Sequence, residues 1–136
     1  MRIVIKKINK ITENEKIKLI NLKMQEWKYS FNSHRDWIRK NIKLNDINIF
    51  LKINEEVVGY NLLRIRKFYT RENFTNKNYY YFDTMIIDKN FRKKKLSKKI
   101  MMKSIKIIKK NNFAFLLCKK SLIRYYKKFG WILMDK

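Results

Sequence analysis

Residues 79–118 constrain the fold more than any other part of this chain. Residues 79–88, Tyr-Tyr-Tyr-Phe-Asp-Thr-Met-Ile-Ile-Asp, are aromatic and β-branched, the composition of a strand. A basic turn follows over residues 89–96. Residues 97–111 then carry Met101, Ser104, Ile105 and Ile108 at helical spacing, and residues 113–118 return to an apolar run that reads as a buried strand. A strand, a helix and a second strand in this order lay the two strands parallel, joined by a right-handed crossover. That unit excludes a helical bundle and a purely antiparallel sandwich.

The remaining segments supply antiparallel strands and further helices. Residues 2–8 read as a strand, and Thr12 with Glu15 has the capping-box spacing that opens a helix. Ile17, Ile20, Met24 and Trp27 are expected on its inner face. Ser33 with Asp36 repeats the cap pattern before a shorter helix through Trp37, Ile38 and Ile42. Residues 46–53 and 57–68 read as strands joined by a hairpin turn at Asn54-Glu55-Glu56, and the polar segment 69–78 as a loop. A short helix over 121–128 ends at Gly130, where a left-handed C-cap is natural, and residues 131–134 begin a last strand. The order is β-α-α-β-β-β-α-β-α-β. It predicts a mixed α/β (α+β) fold whose central sheet is mostly antiparallel with one parallel crossover, in a single domain over residues 1–136.

Several classes are excluded. No stretch approaches the roughly 20 apolar residues of a membrane span. The first residues, Met1 to Lys7, are too short and too interrupted for a signal peptide. A single cysteine, Cys118, allows no internal disulfide and fits a cytoplasmic protein; its apolar neighbours suggest a buried strand residue rather than a catalytic thiol. His34, the one histidine, follows a helix cap and reads as a surface residue. One His and one Cys make no metal centre and no Cys-His pair. The net charge of +24, from 35 basic against 11 acidic residues, has two sources. Codon bias of an AT-rich kind explains the abundance of Lys, Asn and Ile with no Pro. An anionic partner, whether nucleic acid, acidic lipid or a phosphorylated cofactor, is compatible with the same charge.

Three groups carry candidate chemistry. The turn at 89–97 joins a strand to a helix N-terminus, where free N–H groups and the helix dipole favour an anion. Arg92, Lys93, Lys94 and Lys95 add charge there; the alternative is a solvated basic turn. Tyr126, four residues before Gly130, reads either as a general acid for a departing thiolate or as an aromatic packed under the sheet. Asp83 shares a strand face with Tyr81, Met85 and Ile87 if alternation is regular. A carboxylate among apolar and aromatic groups would have a raised pKa and could serve as a base, or it could be a rim Asp paired with one of the many lysines.

Taken together, the strand, basic turn, helix, strand and Tyr-x-x-x-Gly-aromatic order resembles the GNAT N-acetyltransferase family. Residues 83–110 are similar to its acetyl-CoA-binding core and residues 113–131 to the segment after it. The resemblance implies a GNAT-like fold with helices on both faces of the sheet and an acetyl-CoA-dependent transferase acting on a primary amine by direct attack. The family's cofactor loop has Arg or Gln, two variable residues, Gly, one variable residue, then Gly or Ala. Here that register reads Arg92-Lys93-Lys94-Lys95-Leu96-Ser97, preceded by the aromatic Phe91. Arg92 matches; Lys95 and Ser97 stand where small residues let the backbone approach the pyrophosphate. By the same register, Met85, Ile86 and Ile87 would hold the pantetheine arm through backbone groups, Tyr126 would be the general acid and Asp83 the base. Lys119 occupies a position where the family often has Asn. The acceptor implied is a small-molecule or tRNA-linked amine, since some toxins of the family resemble this chain in size and charge. The alternative is a GNAT-fold protein whose cofactor loop has decayed and whose basic surface holds nucleic acid.

Overall fold

A computed structural model describes residues 1–69, 76–110 and 113–134, with the side chains of residues 68, 69, 76, 77, 93 and 94 also outside the description. Its elements are β1 (Arg2–Lys6), α1 (Glu13–Glu26), α2 (Phe31–Asn41), β2 (Ile47–Ile53), β3 (Glu56–Tyr69), β4 (Asn76–Ile87), α3 (Leu96–Lys109), β5 (Ala114–Leu116) and α4 (Ile123–Lys127). Three short 3-10 turns lie at Ile8–Lys10, Lys89–Lys94 and Lys120–Leu122. The strands form one sheet in the order β1-β2-β3-β4-β5. All neighbours are antiparallel except β4 and β5, which are parallel, as the strand–helix–strand unit requires. No helix among the described residues is long and apolar enough to cross a membrane.

Local sequence explains most element ends. Thr12 accepts from the N–H of Glu15 while the Glu15 carboxylate accepts from the N–H of Thr12, a reciprocal cap. Glu15 also binds the Lys6 and Lys52 ammonium groups at 2.7 and 2.8 Å. Burial acts to raise its pKa, but the hydrogen bonds from Lys52, Lys6 and Thr12 outweigh it and hold the carboxyl at about 2. The hairpin between β2 and β3 turns through Asn54 and Glu55, both at positive φ (50° and 66°), the geometry of a two-residue turn that follows strand twist.

Hydrophobic residues pack on both faces of the sheet. On one, Leu19, Ile20, Leu22 and Ile38 of α1 and α2 meet Phe50, Tyr60, Leu62 and Ile86. On the other, Ile100 and Met101 of α3 meet Ile49, Leu51, Leu63 and Phe82, with Tyr126 and Trp131 against their edge. Gly59 sits where a Cβ would lie 2.8 Å from Ile100 Cδ1 and 2.9 Å from Ile87 Cδ1, so an added methyl would have to displace the ends of both side chains.

Several expectations are corrected. In α1 the buried stripe is Glu15, Leu19, Leu22 and Lys23 with Ile20, whereas Ile17, Met24 and Trp27 are exposed. The helix is rotated so that Lys23, not Met24, faces inward. The cap of α2 is Ser30, which accepts from the N–H of Ser33, so the helix starts earlier than the Ser33–Asp36 spacing suggested. His34 consequently lies on the inner side of α2 and is buried. Cys118 lies beyond the end of β5 and is exposed. Residues 131–134 form no strand. The expected loop at 69–78 is shorter: β3 and β4 remain paired to Tyr69 and Asn76, and residues 70–75 fall outside the described residues.

Candidate active site

The pairing of β4 is irregular in a way that creates a site. Leu62 pairs with Thr84 but Leu63 pairs with Phe82, so Asp83 is an extra residue, a bulge. The bulge reverses side-chain parity along the strand. Tyr81 and Asp83 therefore share the α1–α2 side, while Met85 and Ile87 pack on the α3 side, correcting the expectation that all four share one face. A buried network fixes the bulge. Asn61 Nδ2 donates to Thr84 O at 2.7 Å, and the Ser104 hydroxyl of α3 donates to Asn61 Oδ1.

Immediately past the bulge, β4 loses its second neighbour. The parallel pairing with β5 covers only Tyr80–Ala114, Tyr81–Phe115 and Phe82–Leu116. The Asp88 N–H donates to Val58 O on β3 at 2.8 Å. By strand alternation the backbone of Ile86 also faces β3, and those of Met85 and Ile87 face the open side. One of those acceptors is already used: Ile87 O receives Arg92 Nε at 3.1 Å.

The turn after β4 is a 3-10 segment that delivers the chain to α3. Asp88 accepts from the Asn90 N–H at 2.9 Å and starts it. Lys95 ends it in the left-handed region, φ 56° and ψ 28°, at the position where the resemblance called for a small residue. No side chain among the described residues caps α3, so the N–H groups of its first turn are not claimed from the cap position. Arg92 turns away from this terminus, its guanidinium bridging Ile87 O and the Glu26 carboxylate of α1. Ser97 does not cap the helix; its Oγ accepts from Tyr125 at 2.9 Å. The side chains of Lys93 and Lys94 lie outside the described residues. An uncapped fourteen-residue helix with a left-handed residue before it fits a phosphate-bearing group, held by backbone donors of Leu96 and Ser97 rather than by Arg92.

Tyr126 lies at the point where β5 leaves β4. Its ring meets Phe82, the last paired residue of β4, edge-on at 5.9 Å, and Trp131 at 6.3 Å. The hydroxyl makes no hydrogen bond among the described residues. Burial, then the nearby Tyr125 and Cys118, push its pKa up to about 12, so the phenol keeps its proton throughout the neutral range. Gly130, at φ 94°, turns the chain so that Trp131 returns onto this cluster.

On the opposite face a cavity of about 510 Å³ opens between α1, α2 and the bulge, with Asp83 and Thr84 on one side and Trp27, Tyr29, His34 and Trp37 on the other. Asp83 is not surrounded by apolar groups: Arg64 donates to its Oδ2 at 2.9 Å. The same guanidinium lies 5.4 Å from the Trp37 ring, and its Nε has no hydrogen-bond partner among the described residues. Lys23 Nζ sits 3.8 Å from the centre of that ring. His34 Nε2 is 3.0 Å from Trp27 O, which ties α2 to the end of α1. Sequence reading expected residues 27–44 and 64–78 to shape the acceptor pocket, which takes in Arg64 but misses Lys23. A lysine at helical spacing from Leu19 and Ile20 was the available signal for it.

A split sheet with a bulged strand at the gap, an uncapped helix terminus and a tyrosine beside the opening together define an acyl-transfer fold. The model of the Acetyltransferase (GNAT) family matches residues 16–131, and the chain belongs to that family. No curated protein sequence matches it significantly. Among solved structures, a transcriptional regulator from Bacillus halodurans C-125 superposes with a TM-score of 0.77 at 12% identity, covering 99% of this chain and 96% of that one. An aminoglycoside 6'-N-acetyltransferase from Acinetobacter haemolyticus gives 0.72 at 12% identity, with 100% and 94% covered. Glucosamine-6-phosphate N-acetyltransferase from Arabidopsis thaliana gives 0.70 at 19%, with 100% and 98% covered. These likenesses establish the fold.

Proposed function

We propose that this protein is an acetyl-CoA-dependent N-acetyltransferase that acetylates a primary amine by direct attack. One observation carries the reading: a half-buried phenol with no hydrogen-bond partner among the described residues, Tyr126, packs on Phe82 where β5 departs from β4. The acetyl donor supplies a thioester carbonyl. The chain's own residues do the rest. Backbone groups of Met85 and Ile87 on the open edge of β4 orient the donor's arm, and the first turn of α3 holds its phosphates. The acceptor enters from the α1–α2 cavity, so the two substrates approach from opposite faces of the sheet. Asp83, at the bulge between them, accepts the proton of the amine directly or through a water. Tyr126 keeps a proton on its hydroxyl for the leaving sulfur.

The reading is tested by calorimetric titration with acetyl-CoA, followed by thiol release with a panel of amines. Micromolar binding and amine-dependent release are expected, with release slowed in Tyr126→Phe. Absence of acetyl-CoA binding, or unchanged turnover in Tyr126→Phe, would count against it.

A further inference from the structure

Lys23 is out of keeping with its surroundings. It lies on the buried stripe of α1 at only 6% exposure, in a position where the helical pattern calls for an apolar residue. Its ammonium has no hydrogen-bond or ion-pair partner among the described residues. The amine is nevertheless not sealed off, since Lys23 lines the α1–α2 cavity. The Trp37 ring supports it from one side at 3.8 Å and the Trp27 ring at 5.8 Å, leaving its N–H donors unanswered. Arg64 does not itself line the cavity, but it pairs with Asp83, the one carboxylate that does. With Asp83 engaged by Arg64, the Lys23 ammonium leaves the cavity with a net positive charge. An acceptor carrying only ammonium groups meets repulsion there; one that brings an anion satisfies Lys23 as it enters.

We infer that the acceptor is a primary amine bearing a carboxylate or phosphate, the anion bound by Lys23 while the amine lies toward Asp83. The inference rests on the transferase reading only for the role of the amine. Charge-assisted hydrogen bonds from a desolvated ammonium are among the stronger polar contacts available. The aromatic floor under Lys23 holds the charge in place. Burying an unpaired cation is costly, and an anion that completes it recovers part of that cost on binding.

The experiment follows tryptophan fluorescence, since Trp27 and Trp37 both flank Lys23. The whole chain, with and without saturating CoA, is titrated at pH 7 with matched pairs: tyramine against tyrosine, and ethanolamine against phosphoethanolamine. The anion-bearing member of at least one pair is expected to bind about tenfold or more tightly, from the usual strength of a charge-assisted bond. The pair that responds distinguishes carboxylate from phosphate. Lys23→Met should abolish the preference and Lys23→Arg should retain it. Equal or weaker binding by both anion-bearing members, or a preference that survives in Lys23→Met, overturns the inference. Anion-selective binding without acetyl transfer would overturn only the transferase reading; transfer without anion selectivity would overturn only this one.

Discussion

Replacing Lys23 by Met should make the protein more stable at neutral pH and less distinguishable from the parent at high pH. Burial is the largest cause that depresses the Lys23 pKa, from 10.5 to about 8; Asp83 opposes the shift and Arg64 adds to it. At about 1.4 kcal/mol per unit this shift corresponds to a penalty of roughly 3 kcal/mol on the folded state while the lysine is charged. The sign follows from proton counting. Below pH 8 both folded and unfolded states carry the proton and the penalty is fully present. Between pH 8 and 10.5 only the unfolded chain holds it, so stability rises with pH across that window. Met preserves the length of the stem and the contact with Trp37, but forfeits a cation–π contact worth about 1 to 2 kcal/mol. The net gain at pH 7 is therefore about 1 to 2 kcal/mol. Urea unfolding of both proteins, followed by tryptophan fluorescence at pH 7 and pH 10, measures it. A variant less stable than the parent at pH 7, or a difference that does not change between the two pH values, would refute the reasoning.

Tyr126→Phe should lower kcat by about a hundredfold or more while leaving acetyl-CoA affinity nearly unchanged, as removal of a proton donor does; steady-state kinetics and calorimetry separate the two. Because the phenol's pKa is raised to about 12, the parent's rate should show no loss from its ionisation below pH 10. Lys95→Gly should stabilise the fold by up to about 1 kcal/mol, since φ at Lys95 is 56°, whereas Lys95→Ala should not; chemical denaturation discriminates them. Gly59→Ala should cost about 1 to 3 kcal/mol because the new methyl meets Ile100 and Ile87 below 3 Å, and the melting temperature should fall. Glu15, depressed to about 2, contributes stability that is complete above pH 4.5 and is lost as pH falls toward 2; an acid titration of Glu15→Gln should lack that part of the loss.

The hairpin turn and the cap of α1 were legible because they are local. Thr12 with Glu15 needs only three residues of chain to form its box, and the cofactor-loop register singled out Lys95 as standing where a small residue is usual, a position that takes a φ of 56°. The parallel step from β4 to β5 was legible because a helix between two strands leaves little topological choice. The site was less so. Sequence alternation put Tyr81, Asp83, Met85 and Ile87 on one face, yet the bulge at Asp83 divides them, and its stabilising bonds come from Asn61 and Ser104, residues 22 and 21 positions away from it. Arg92 matched its motif as a cation, but the partners it meets are Ile87 O and Glu26, the latter 66 residues distant. Cys118 had the neighbours of a buried residue and is exposed because β5 stops at Leu116.

The amino-acid order by itself determined the succession of elements as far as α4, the parallel crossover, the cap at Thr12 and the left-handed turn at Gly130. Each follows from backbone sterics or a periodicity acting within one segment. Only the tertiary structure decided which groups act together. Rotation of α1 turned Lys23 inward, the bulge sent Asp83 to the α1–α2 face, and Arg64 came across the sheet to pair with it. These are outcomes of how two helices and a bulged strand close on one another, and the cavity charge they produce belongs to their packing rather than to any one stretch of chain.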